Sequence, residues 1–305
     1  MPTRNRPDFV ARAFSFLEAQ GFRGHLHLVD ASDGDKFVTP IKRPFEVTHH
    51  RPRRPGDAWR EIADALADVP SRYIQLHHDD DFYFLDEIDA AIEALEQNPS
   101  AATAQGRSIF VEHKADGSIS LAGHDRFAYL AETAPERVAQ CFDRFGHLAF
   151  AVTRRTNFVA VLNQVHPVLE QGWFDQYAIS LLLAARGPAL VADRLFGVRE
   201  LHAAQHHRQF VDAKAYKHWP LIVASPDFSA TFAAFKGCLL AGVPGLTPLS
   251  IDTGLVSLIG RAAGQMPERE DGDVQLFERA NVPRTQEHTR VTRVVAALRA
   301  AKPSI

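Results

Sequence analysis

The chain has 305 residues, 46% hydrophobic and 23% charged, with a formal net charge of −3 at pH 7. This composition excludes disorder over most of the length, and the near-neutral charge excludes the basic footprint of a nucleic-acid-binding chain. No apolar run approaches the roughly 18 residues a membrane span needs. The opening "MPTRNRPDF" lacks the apolar centre of a secretion signal, and Cys141 and Cys238 are too few for a disulfide framework. A soluble cytosolic protein with reduced core thiols is expected, with peripheral association with the inner face of the cell membrane left open.

Val10, Ala13, Phe14 and Leu17 recur at helical spacing and Gly21 stops the run, which predicts a first amphipathic helix. "HLHLVD" follows as a short buried strand ending at Asp30. The basic run "IKRPFEVTHHRPRRPG" reads as a solvated loop, or at most as a rim that meets an anionic ligand. Trp59, Ile62, Ala63 and Leu66 give a second helix, "RYIQLH" a strand, and Ile88, Ala91, Ile92 and Leu95 a third helix before the strand "TAQGRSIFVE". "EHKADGSISL" then reads as a hairpin with Asp116 and Gly117 at its turn. "GHLAFAVTRRTNF" is a strand leading into a helix, "WFDQYAISLLLAARG" a helix stopped by Gly187, and "LFGVRELHAAQHH" an extended stretch ending in histidines. From about residue 210 the pattern is helical, with loops expected around Pro244, Pro248 and Pro267.

Alternation of short strands and helices implies an α/β fold with parallel strands and helices on both faces. Ligands in such sheets bind beyond the carboxyl ends of the strands. Asp30, the acids Asp79 to Asp81 and the loop "PTRNRP" all fall at such ends and are expected to converge on one edge. Three adjacent carboxylates repel one another, by about 4 kcal/mol per pair at 4 Å and an effective dielectric of 20, unless something offsets the charge. A solvated turn opening the next helix is one explanation. A hard divalent cation, Mg2+ or Mn2+, completed by substrate phosphates, is the other, and Phe82 and Phe84 hem the acids in as such a site requires.

"PTRNRPDFVARAFSFLEAQGF", "HLVDASD" and "RYIQLHHDDDFYFLDEIDAAI" resemble, in order and spacing, the opening motifs of GT-A glycosyltransferases. The resemblance covers roughly residues 1–205. It implies a GT-A fold, with a mixed, mostly parallel sheet. Residues 1–110 would be the nucleotide- and metal-binding half, 111–205 the acceptor half and 206–305 a helical C-terminal extension. It further implies a divalent cation, Mn2+ or Mg2+, a nucleotide-sugar donor with UDP-sugars foremost, a glycan or lipid-linked acceptor, and a place in bacterial surface polysaccharide synthesis. Peripheral membrane association or a homodimer would suit that role.

Position by position, Pro2, Thr3, Arg4 and Arg6 match the loop that lies against the nucleotide, and Asp30 matches the acid that contacts base or ribose. Asp79 and Asp81 match the outer, metal-holding positions of the DxD-type signature and Asp80 its middle, with Asp79 and Asp80 also facing the nucleotide. His77 and His78 stand where another acid is common, which leaves the metal register open by one residue. Asp175 matches the acid that opens a helix below the acceptor and would be the general base, although an acid is also a good first-turn residue in any helix. His147 matches the segment before that helix and reads either as an acceptor-pocket residue or as a core histidine. Arg154 and Arg155 would touch phosphate or lie on the surface. His202, at the position of a family histidine or mobile loop, is a third metal candidate, and His206 and His207 are acceptor-side candidates. The reaction implied is inverting glycosyl transfer. Two alternatives stay open: a nucleotide-sugar-binding protein without turnover, and a metal-dependent phosphohydrolase.

Overall fold

The computed structural model describes residues 1–34, 43–52, 58–67, 69–113, 119–124, 127–165, 174–201, 228–264 and 289–294. Strand β1 (Pro2–Thr3) pairs in parallel with β2 (His25–Asp30), and β2 with β3 (Glu46–His50), giving a three-stranded sheet in the order β1-β2-β3. Helix α1 (Pro7–Ala19) starts on a proline at its first turn and buries Val10, Ala13, Phe14 and Leu17. Those side chains form a small core with Leu26, Leu28 and Phe45. The run ends at Gly21, whose φ of 75° lies in the left-handed region that glycine adopts without strain.

The second sheet has the order β4 (Tyr73–Gln75), β8 (Val152–Arg154), β6 (Thr103–His113), β9 (Ala189–Leu201) and β5 (Asp81–Tyr83), with β7 (Ile119–His124) also on β6. Only β6 and β9 run parallel in it; the β4–β8, β6–β8, β6–β7 and β5–β9 pairs are antiparallel. The β6–β9 register shifts around Gly106, where a Cβ would come within 2.4 Å of the Arg194 carbonyl. The helices are α2 (Ala58–Ala67), α3 (Leu85–Gln97), α4 (Ala134–Asp143), α5 (Arg155–Val165), α6 (Asp175–Arg186), α7 (Phe228–Gly242) and α8 (Pro248–Gly264).

The main core joins Ile62 and Ala63 of α2, Leu95 of α3, Cys141 of α4, Phe158 of α5, Leu182 of α6 and Phe235 of α7. Burial raises both thiols, Cys141 to about 12 and Cys238 to about 11, so they stay protonated and inert. Helix α4 opens on a reciprocal cap between Thr133 and Glu136, and Arg137 from the same helix bonds the Ala184 and Ala185 carbonyls at the end of α6. A third cluster packs Phe82, Phe84 and Val198 against Val291 and Val294 from the helical residues 289–294.

Three details differ from the sequence reading. "EVTHH" within the basic run is strand β3 and not loop, because its alternate side chains find partners on β2. Asp81 does not end the strand that starts near Arg72; it begins β5, after a turn at Asp79 and Asp80. Pro248 opens α8, where its missing N–H has no helical partner to lose. The Asp116–Gly117 turn and Pro267 lie outside the described residues. Among the described residues, no helix is long and apolar enough to cross a membrane.

Candidate functional site

Strands β1 and β2 end side by side. Thr3 is the direct partner of Asp30, and the Ala31 N–H donates to the Thr3 carbonyl at 3.0 Å. Beyond them the chain turns through Asn5, whose φ of 56° is adopted because its amide exchanges bonds with Asp33, 3.0 and 2.9 Å, while its N–H donates to Ser32 Oγ. That clasp aims Thr3 and Arg6 at the acidic turn. The Thr3 hydroxyl donates to Asp79 Oδ2 at 2.6 Å, and the Arg6 guanidinium reaches Asp79 Oδ1 at 2.6 Å and Asp80 Oδ2 at 3.0 Å. Arg4 makes an exposed pair with Asp33 at 3.7 Å, of a kind that contributes about 0–1 kcal/mol.

Asp30 is fully buried. Its Oδ1 accepts the Ser32 N–H at 3.0 Å and its Oδ2 faces His49 Nε2 at 3.2 Å. Asp81 is 2% exposed and pairs with Arg199, its partner across β5 and β9, while the Tyr83 hydroxyl donates to it at 3.1 Å. Burial first, then repulsion from Asp80, pushes the Asp81 carboxyl up to about 6, against the pull of Arg199. His78 lies 3.9 Å from Asp81 Oδ2, with its ring edge-on to Phe150. Burial holds His78 well below the ordinary imidazole range, so the ring is neutral and keeps a lone pair.

His78, Asp80 and Asp81 can each place one ligand atom within 4.8 Å of the others. An imidazole nitrogen and two carboxylate oxygens fit a hard to borderline divalent cation. Of the expected Asp79 and Asp81, Asp81 belongs to this group together with Asp80, while Asp79 is bonded by Thr3 and Arg6 and Asp80 also by Arg6. His77 points elsewhere, against Tyr83, with both ring nitrogens buried and unpartnered among the described residues.

Asp175 opens α6, as expected. Its Oδ2 accepts the Trp59 indole N–H at 2.7 Å and its Oδ1 the Gln176 N–H at 2.6 Å. Burial raises its carboxyl above the ordinary range, and these two bonds oppose the rise. A relay of rings runs from the cation group towards this helix: His78 on Phe150, Phe150 by His147, His147 on Phe145, and Phe145 on Tyr177. His147 thus lies between the acidic turn and α6. Arg154 and Arg155 are not directed at phosphate. Arg154 bonds the Ala101 and Leu95 carbonyls beyond and within α3, and Arg155 the Ser71 carbonyl, so both close helix and strand ends. His202, His206 and His207 lie outside the described residues.

Arg199, Trp59, His49 and Phe150 were not singled out from the sequence. Arg199 sits inside the quoted "LFGVRELHAAQHH", but nothing in that string tells that it pairs with Asp81 across 118 positions. Trp59 had a visible role as a core residue of α2, which conceals its polar edge.

No protein-family model and no curated protein sequence matches the chain. Among solved structures, S. aureus TarS 1-349 aligns with 91% of this chain and 75% of its own, at 14% identity and a TM-score of 0.52. A second S. aureus TarS structure covers 85% of this chain and 42% of its own, at 11% identity and a TM-score of 0.49. The first likeness shows that the fold is that of the GT-A glycosyltransferases.

Proposed function

We propose that this protein is a glycosyltransferase that moves a hexosyl or related sugar from a nucleotide-sugar donor, with UDP-sugars foremost, to a hydroxyl of a glycan or lipid-linked acceptor. The observation that carries this reading is the bonding of Thr3 and Arg6 to Asp79 and Asp80 beside Asp30, at the carboxyl edge of a GT-A sheet. Pro2, Thr3, Arg4, Arg6 and Asp30 would line the nucleotide. Arg6 and Arg199 now neutralise Asp79, Asp80 and Asp81, and a diphosphate would give both guanidiniums a second anionic partner.

His78, Asp80 and Asp81 would hold a divalent cation, with Mn2+ better matched than Mg2+ to the imidazole. Such a cation supplies Lewis-acid neutralisation of charge on the departing diphosphate. Asp175 is the general base. Its raised carboxyl is a stronger proton acceptor than an ordinary aspartate once ionised, and the Trp59 indole fixes the oxygen orientation. With the base on the acceptor side and the diphosphate on the other, attack is in line and the configuration inverts.

The test is nucleoside diphosphate release from UDP-, GDP- and dTDP-sugars and nucleoside monophosphate release from CMP-sugars, with Mn2+ and an acceptor mixture. Asp175→Asn is expected to keep donor affinity and lose turnover. Hydrolysis of a simple phosphomonoester, with no glycosyl product, would instead establish a phosphohydrolase.

A further inference from the structure

The three-stranded sheet has two unlike faces. Leu26 and Leu28 turn towards α1, so His25 and His27 turn the other way. The register then sets Glu46 beside His25, Thr48 beside His27, and His50 beside Val29 on the same side. Three imidazoles thereby share one face across β2 and the sheet's last strand, β3. The His25 and His27 rings stack at 4.2 Å, and the His27 and His50 rings at 5.2 Å. His27 Nδ1 lies 2.9 Å from His50 Nε2, while His27 Nε2 is buried without a hydrogen-bond partner among the described residues. Burial, and then the neighbouring His25 and His50, push His27 down to about 4, and burial lowers His50 as well. Both rings are neutral at pH 7, with lone pairs available for bonding.

We propose that His27 and His50, with His25 as third ligand, form a site for a borderline divalent transition metal, Zn2+, Ni2+ or Cu2+, separate from the acidic turn. Imidazole donors select such ions over Mg2+ and Ca2+. Two nitrogens bonded to one tetrahedral Zn2+ lie about 3.3 Å apart at ordinary bond lengths. The His27–His50 contact is 2.9 Å with the two nitrogens pointing at each other, so both rings tilt as well as part to admit the ion. One N–H···N bond breaks, the donor ring is reprotonated on its other nitrogen as that proton is released, so both imidazoles stay neutral, and two metal–nitrogen bonds form. His25 now turns Nε2 to Thr48 at 2.7 Å and Nδ1 to Glu46 at 3.5 Å, and would leave both partners and rotate to serve as the third ligand. Filled, the site ties β3 to β2 and so fixes His49 against Asp30 from the opposite face of the sheet.

The test uses the full chain, stripped with chelator and titrated with Zn2+, or with Co2+ for its visible spectrum, under excess Mg2+ so that the carboxylate group is occupied. One equivalent is expected to bind, with the absorption of tetrahedral Co2+. His27→Gln and His50→Gln should each weaken Zn2+ by about tenfold or more, whereas Asp80→Ala keeps it. Circular dichroism checks that the variants fold, and His50→Gln, at the sheet's last strand, is the milder change. Failure of the parent to take up Zn2+, unchanged affinity in both histidine variants, or loss of the ion in Asp80→Ala would each overturn the assignment.

Discussion

Asp81 and Arg199 face each other across β5 and β9, with Nε 3.2 Å from Oδ2 and the guanidinium 4.4 Å above the Phe150 ring. The pair keeps a carboxylate ionised where water cannot reach it. Arg199→Met leaves that charge uncompensated and is expected to cost about 3–5 kcal/mol of stability in urea unfolding at pH 8. The loss should be clearly smaller at pH 5, because Asp81, already pushed up to about 6, is protonated there. Equal losses at the two pH values would contradict the pairing.

Asp175→Asn removes a proton acceptor while preserving shape, and its one amide oxygen can accept only one of the Trp59 and Gln176 N–H groups. Turnover is expected to fall by about 10²–10⁴, with donor affinity retained. Steady-state rates beside calorimetric titration separate the two quantities, and an equal fall in both would make Asp175 a donor-binding residue.

Trp59→Phe keeps most of the bulk and deletes the indole N–H that stabilises ionised Asp175. The Asp175 carboxyl then rises further, so the acid limb of the rate profile should shift to higher pH. The profile of kcat/KM against pH measures this, and an unshifted limb would show that the bond has no bearing on the base.

His77 is buried and neutral, pushed down to about 3 by desolvation first. The unfolded chain protonates it near pH 6.5 and the folded one does not, so its contribution to stability is lost as pH falls from about 6.5 towards 3, by at most about 1.4 kcal/mol per pH unit. Asp81 acts oppositely between its unfolded value and about 6, because the folded state there holds the extra proton. The diagnostic is therefore the difference between parent and His77→Gln, measured in chelator. Urea midpoints should converge as pH drops from 6.5 to 5, and parallel curves would show that His77 titrates normally.

The helical faces of α1, α2 and α3 were legible because burial every three or four residues leaves a period in the text. The acidic turn was legible as a chemical anomaly. What stayed hidden depends on register: Thr3 bonds Asp79, Arg6 bonds both Asp79 and Asp80, and His78 groups with Asp80 and Asp81, an arrangement that the string of adjacent acids does not reveal. Strand β3 was missed because "EVTHH" carries polar side chains on the face where a strand pattern is sought. Arg154 and Arg155 stayed open between phosphate contact and the surface because composition does not reveal that backbone carbonyls already occupy them.

The central claim is that residues near positions 3, 30 and 80 hold one nucleotide-sugar together with one cation. Calorimetric titration of a UDP-sugar into parent and Asp80→Ala protein, each with and without Mn2+, tests it most directly. The parent should bind far more tightly with Mn2+ than without, and the variant should lose that enhancement. Donor affinity indifferent to Mn2+ in the parent, or an undiminished enhancement in Asp80→Ala, would contradict the account.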